Sequence, residues 1–286
     1  MDKNIIEKVL EEVQKRLGEQ SSNLDLESKI NEILNDKNIN KMQAEKKEVD
    51  VMENLSSVTG ITEYIGNAEG DTVGLVIANV DSALHERMGL DAKYRSIGII
   101  GARTGAGPQI LAADEAVKAT NTEVVTIELP RDTKGGAGHG SLIIFASEDV
   151  SDARRAVEVA LKELDRTFGD VYGCDAGHLE LQYTARASYA VNKAFGAPIG
   201  KAFGLIVGAP AAIGVVMADT ALKTANVEAV AYSTPNSGTS YSNEVILAIT
   251  GDSGAVRQSV IAAREKGLNI LKAMGQDPQS TTKPYI

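Results

Sequence analysis

Near the start of the chain, Ile5, Val9, Val13 and Leu17 recur at every fourth position, with Ile6 and Leu10 beside them and charged residues opposite. That spacing predicts an amphipathic helix ending at Gly18. A weaker apolar stripe over 26–34 predicts a second helix, and the polar stretches at 20–23 and 35–50 read as linkers. Residues 1–61 are therefore expected to form a helical and disordered extension. From residue 62 the pattern changes to short apolar runs. Those at 73–79, 96–101, 123–129, 179–184, 202–208 and 228–233 predict strands, with helical segments between them, and in each copy a loop and one more strand precede the last helix. A helix is predicted after Asp149, where Val150, Ala153, Val157, Leu161 and Leu164 make a 3,4 stripe, and another after Asp252, the aspartates serving as N-caps.

These elements occur twice, with a period of about 105 residues. Ala113, Asp114, Ala116 and Lys118 lie over Ala218, Asp219, Ala221 and Lys223. IGIIGA at 97–102 lies over FGLIVGA at 203–209, and Leu142 to Phe145 over Val245 to Ala248. Each copy has enough strands and helices to carry its own core, so tandem α/β domains over 62–168 and 169–286 are expected, not a solenoid.

Composition removes several functions. Lys and Arg number 29 against 39 Asp and Glu, a net charge of −10 without a basic cluster, which disfavours nucleic acid. The apolar runs at 202–207 and 209–218 fall well short of the roughly 20 residues that cross a bilayer, so no membrane span is expected. Cys174 is the one cysteine, and His85, His139 and His178 are scattered, a poor basis for a metal site. The absence of a signal-like apolar core at the start points to the cytoplasm. No cofactor signature is present.

Three features could carry chemistry. Gly101, Gly105 and Gly107 follow a predicted strand and precede a helix, the layout of a phosphate loop, but the spacing matches neither G-x-G-x-x-G nor G-x-x-x-x-G-K-[ST]. An α/β enzyme or sensor holding a phosphorylated small molecule there is the alternative reading. His139 stands near Ser141, yet the nucleophile elbow is absent and the corresponding loop at 234–242 has neither His nor acid. The adjacent acids Asp114 and Glu115, and Glu148 and Asp149, read as helix caps. Lys118 and Lys223 read either as solvated lysines near helix ends or as contacts between molecules.

The stretch AFGLIVGAPAAIGVVMADTALKTANVEAVAYSTPNSG, followed by ITGDSGAVRQSVIAA, resembles the bacterial microcompartment shell domain. Because each copy begins with a strand and short helix that the simple domain carries at its end, the chain is similar to the circularly permuted, tandem-domain subclass. YRSIGIIGARTGAGPQ, ELPRDTKGGAGHGS and the final PYI resemble its propanediol-utilisation members. The resemblance implies an α+β, ferredoxin-like fold and a non-enzymatic homotrimer whose six domains form a pseudohexagonal tile. Tiles would pack edge to edge with other shell proteins around encapsulated enzymes such as diol dehydratase. By position, Asp132, Thr133, Lys134, Gly135, Gly136, Gly138 and His139, with Thr234, Pro235, Asn236, Ser237, Gly238 and Thr239, would line a gated pore at the three-fold axis. Lys118 and Lys223 match the edge lysine of the shell helix. Gly105 and Ser141 stand where relatives carry acidic ligands for small polyols. Ile5, Val9, Val13 and Leu17 would tether cargo, and Met42 or Met52 would start a shorter form.

Overall fold

The computed structural model describes residues 62–131 and 139–286; the helices expected at 5–17 and 26–34, with Met42 and Met52, lie outside them. The first copy runs β1 (Thr62–Ala68), β2 (Thr72–Ile77), α1 (Ser82–Met88), β3 (Ser96–Ala102), α2 (Gly107–Lys118), β4 (Glu123–Glu128), β5 (Ser141–Ser147) and α3 (Val150–Thr167). The second repeats that order as β6 (Val171–Cys174), β7 (Gly177–Thr184), α4 (Tyr189–Phe195), β8 (Ala202–Ala209), α5 (Ala211–Thr224), β9 (Val227–Ser233), β10 (Val245–Gly251) and α6 (Ser253–Ala273), and adds β11 (Gln279–Ser280). The sheets are ordered β1-β2-β3-β5-β4 and β11-β6-β7-β8-β10-β9, and their pairings are antiparallel. Two copies of one α+β unit are therefore joined in tandem.

Helices α3 and α6 pack on the central strands of their own sheets, and a glycine permits each close approach. A Cβ at Gly98 in β3 would stand 2.7 Å from the Ala153 carbonyl oxygen, and one at Gly204 in β8 would stand 2.7 Å from Val260 Cγ2. Strand β8 is buried along its whole length, which explains its unbroken apolar run. Helix α2 is buried around most of its circumference, as expected of a helix with protein on more than one side. Its inner face joins the core of the first copy. Its outer face extends that core into the second copy through Ala187, Ala190, Val191 and Phe203.

Sequence patterning missed β1 and β6. In β1, Gly66 and Asn67 interrupt the alternation and the register shifts between Tyr64 and Gly66; β6 has only four residues. Pairing with β2 and β7 holds them extended despite weak local preference. The two predicted caps also differ. Asp252 accepts the N–H groups of Gly254 (2.9 Å) and Ala255 (3.4 Å), whereas Asp149 occupies the N-cap position with no side-chain hydrogen bond to its helix. Among the described residues, no helix is long and apolar enough to cross a membrane.

Candidate functional site

The seam between the copies is built from α2 of the first and α4 of the second. Asp114, fully buried, points its carboxylate at the start of α4, where it accepts the backbone N–H of Ser188 at 3.0 Å and of Val191 at 3.2 Å. Expected to cap its own helix, Asp114 lies in the interior of α2 and caps a helix of the other copy. An anion suits that position because the first N–H groups of a helix lack intrahelical partners. Lys118, one turn on, lies 2.9 Å from Asp114 and 2.8 Å from Glu115, and its ammonium donates to Thr184 Oγ1 at 3.4 Å. Around this polar centre Ile110, Leu111, Ala190 and Val191 are buried together.

The equivalent faces at the two ends of the chain are bare. In α5, Val215 and Val216 stand at the repeat positions of Ile110 and Leu111, yet they are 48% and 42% exposed, against 0% and 1%. Asp219 corresponds to Asp114, and its side chain is 57% exposed, paired only along its own helix with Lys223 at 2.7 Å. At the other end, α1 matches α4: both close on a left-handed glycine, Gly89 and Gly196, and both begin with a capping side chain, Asp81 and Ser188. Leu84 of α1, in the place of buried Val191, is 45% exposed. One chain thus carries a completed joint in its middle and the two unmatched halves of the same joint at its ends.

Two loops leave the sheets on a corresponding side of each copy. Residues 132–138, containing the predicted Asp132, Thr133, Lys134, Gly135, Gly136 and Gly138, lie outside the described residues. The base of that loop is closed by the Gly140 N–H donating to the Pro130 carbonyl at 2.8 Å, and Arg131 donates to the Ser240 carbonyl of the second loop. In the second loop Asn236, Ser237 and Gly238 are exposed and Thr234 and Pro235 half-buried. Thr239 is fully buried, its hydroxyl within reach of the Thr234 (3.0 Å) and Ser242 (3.1 Å) carbonyls. His139 is also buried, with Nδ1 2.9 Å from Glu244 Oε1. The structure thus places Thr239 and His139 beneath the loops, where they anchor them.

The other candidate chemistries lose their geometry. At the Gly-rich turn, the buried carboxyl group of Glu180 from β7 accepts from the Gly107 N–H, so the start of α2 is already occupied by a group of the protein. A Cβ at Gly107 would come within 3.2 Å of Glu180 Oε2 and 2.9 Å of Leu205 Cδ2, which accounts for the glycine. Ser141 Oγ is buried without a hydrogen-bond partner, so no imidazole activates it as a nucleophile. Among the described residues, no group of three His, Cys, Asp or Glu side chains is placed to hold a metal ion.

Around Glu244 the charges are closely coupled. Burial would raise its pKa, but the His139 hydrogen bond and the His178 imidazole 3.3 Å away hold it down at about 2. Burial pulls the His178 imidazole downward, yet the Glu244 carboxylate 3.3 Å from its Nε2 and the nearby Glu180 outweigh that and leave it above the ordinary value. Burial raises Glu180. Sequence reading missed Glu244, Glu180 and His178 as a group: the last two share β7, but Glu244 lies far along the chain, just before β10, and that separation carries no signal.

Against known families, the chain matches the BMC domain at residues 96–173, which spans most of the first copy and reaches into β6, and again at 202–276 in the second copy. The chain belongs to the BMC-domain family of bacterial microcompartment shell proteins. It is 72% identical over 226 residues to the bacterial microcompartment shell protein PduB of Citrobacter freundii, covering 79% of this chain and 84% of that one. Among solved structures, EtuB from Clostridium kluyveri shares 64% identity with a TM-score of 0.76, covering 78% of this chain and 98% of the other. A trimeric bacterial microcompartment shell protein PduB shares 56% identity at the same TM-score, covering 78% and 99%. The names borne by these relatives are those of shell components and not of enzymes, in keeping with a family whose tandem BMC domains build structure.

Proposed function

We propose that three copies of this chain close into a pseudohexagonal tile of a microcompartment shell, of the propanediol- or glycerol-utilising kind. The observation that carries the proposal is the pair of bare faces on α1 and α5. If α5 of one chain meets α1 of the next as α2 meets α4 within a chain, each step repeats one joint, and six domains from three chains close the ring. Covering Val215, Val216, Leu222 and Leu84 also removes exposed large apolar side chains from water. The trimeric relative supports this arrangement.

In that tile, the loops at 131–140 and 234–242 surround the three-fold axis and line a pore for small metabolites such as polyols. Asn236, Ser237 and Gly238, small and uncharged at the loop surface, suit passage of a neutral solute. Gating is supported by backbone placement: Gly238 has φ +100°, and Ser240 and Tyr241, which are not glycines, have φ +48° and +67°. Ser240 and Tyr241 each cost about 1 kcal/mol or more in that conformation, a cost that a second loop arrangement would release. Once a neighbour covers α5, Lys223 acquires the surroundings of Lys118, and both ammonium groups stand at the tile rim for contact with adjacent tiles. Residues Ile5, Val9, Val13 and Leu17 form the stripe that binds encapsulated enzymes such as diol dehydratase.

Electron microscopy of the purified full chain tests the tile: three-fold particles or flat hexagonal sheets are expected, and compact monomers would overturn it. For the tether, Ile5→Glu with Val9→Glu is expected to leave tiles intact and to lose co-purifying enzyme; unchanged encapsulation would remove that role. The phosphate-binding alternative has no observation in its favour once Glu180 occupies the turn.

A further inference from the structure

The two halves of the joint at the ends of the chain match the completed joint in shape but not in charge. Within the seam, Lys118 has both of its carboxylates on its own helix, Asp114 at 2.9 Å and Glu115 at 2.8 Å. Across the seam its ammonium reaches a hydroxyl, Thr184 Oγ1 at 3.4 Å. Asp114 Oδ2 lies 2.9 Å from that ammonium and 3.2 Å from the Ser188 backbone nitrogen, so the lysine stands beside the residue that opens α4.

The start of α1 corresponds to that of α4 residue by residue. The Val80 N–H donates to the Arg95 carbonyl at 2.9 Å, as the Ala187 N–H does to the Lys201 carbonyl at 2.7 Å, and the next residue is the cap, Asp81 in the one and Ser188 in the other. Four residues before the cap, Thr184 is replaced by Ile77, which offers a lysine no acceptor, and on the facing helix Glu115 is replaced by Thr220. Lys223 therefore keeps a single carboxylate on its own helix, Asp219 at 2.7 Å, and its side chain is 75% exposed against 26% for Lys118. The position that gains a charge is Asp81, exposed in the single chain, with its carboxylate 2.9 Å from the Ala83 N–H. The second carboxylate has moved from the lysine's own helix to the far side of the joint.

We infer that Lys223 closes the joint between chains as an ion-pair bridge, set between Asp219 of its own chain and Asp81 of the next copy. The inference rests on the tile reading, in which α5 meets α1 as α2 meets α4. Without the lysine, Asp219 and Asp81 would meet at one helix start as two like charges, which opposes contact. With it, each carboxylate has a cation, and removal of water from the joint strengthens both attractions. The joint within the chain has an uncharged cap at this place, Ser188, so the bridge belongs to the joint between chains alone.

Sedimentation equilibrium of the full chain over a range of concentrations tests it. Lys223→Met is expected to raise the concentration at which trimers dissociate about tenfold or more. Adding Asp81→Ser to that variant, which keeps a capping hydroxyl as in α4, is expected to recover most of the loss because the like charges no longer meet. Asp81→Ser alone is expected to bring no tightening. Both residues are exposed in the single chain, so the variants should fold. Unchanged trimers in Lys223→Met, a loss that Asp81→Ser does not recover, or tighter trimers from Asp81→Ser alone would each overturn the bridge while leaving the tile. Wild-type monomers at every concentration would instead overturn the tile itself, and the bridge with it.

Discussion

Asp114 accepts the Ser188 backbone N–H at 3.0 Å, across the seam between two copies of one fold. Asp219 occupies the same helical position in the second copy and meets only its own Lys223. The same residue in the same local sequence is a buried cap in one case and an exposed surface acid in the other. This difference separates effects on the chain from effects on its assembly.

Asp114→Ala removes the acceptor from Ser188 and Val191 and leaves Lys118 without its buried partner. A loss of about 2 to 4 kcal/mol is expected in denaturant unfolding. Asp219→Ala is expected to change chain stability by less than about 0.5 kcal/mol and to weaken self-association instead, measured by sedimentation. Equal stability losses from the two variants would break the distinction.

Val216→Asp places a charge on the bare face of α5, and Leu84→Asp does so on α1. Both are exposed in the single chain, so each variant should fold. Each is expected to shift the protein from trimer to monomer in light scattering, because an unpaired charge in an apolar contact costs several kcal/mol. A trimer surviving both would place the contact elsewhere.

Gly98→Ala forces a methyl group to within 2.7 Å of the Ala153 carbonyl, a backbone atom that cannot move aside without displacing α3. A loss of about 1 to 3 kcal/mol is expected, lowering Tm by several degrees. Gly173→Ala, with nothing within 4 Å of the added carbon, serves as the control and should be close to neutral.

Asp170 is fully buried and holds the end of the chain, accepting the N–H groups of Tyr285 (2.9 Å) and Ile286 (3.0 Å), while Arg264 donates to it at 2.6 Å. Arg264→Ala strands that carboxylate. A loss of about 3 to 5 kcal/mol is expected, with residues 277–286 becoming newly sensitive to limited proteolysis. Resistance equal to wild type would mean that the tail is held by its apolar contacts alone.

Periodicity and internal repetition were enough to place eight strands and four long helices in order and to reveal the duplication, because those elements are buried on one or both sides and write their burial into the apolar spacing. The N-terminal stripe of Ile5, Val9, Val13 and Leu17 is equally plain as a pattern, but a stripe names no partner. Strands β1 and β6 were illegible: Gly66 and Asn67 break the alternation in the one and the other has four residues, so both are extended only because a neighbour pairs with them. Asp114 was visible in sequence, but its role was not, since an aspartate within a helix looks the same whether water or another helix meets it. The gathering of His139, His178, Glu180 and Glu244 had no sequence signature at all. Local sequence determined which segments could bury a face; only the tertiary structure decided which buried face met which, because that depends on side chains brought together from distant strands.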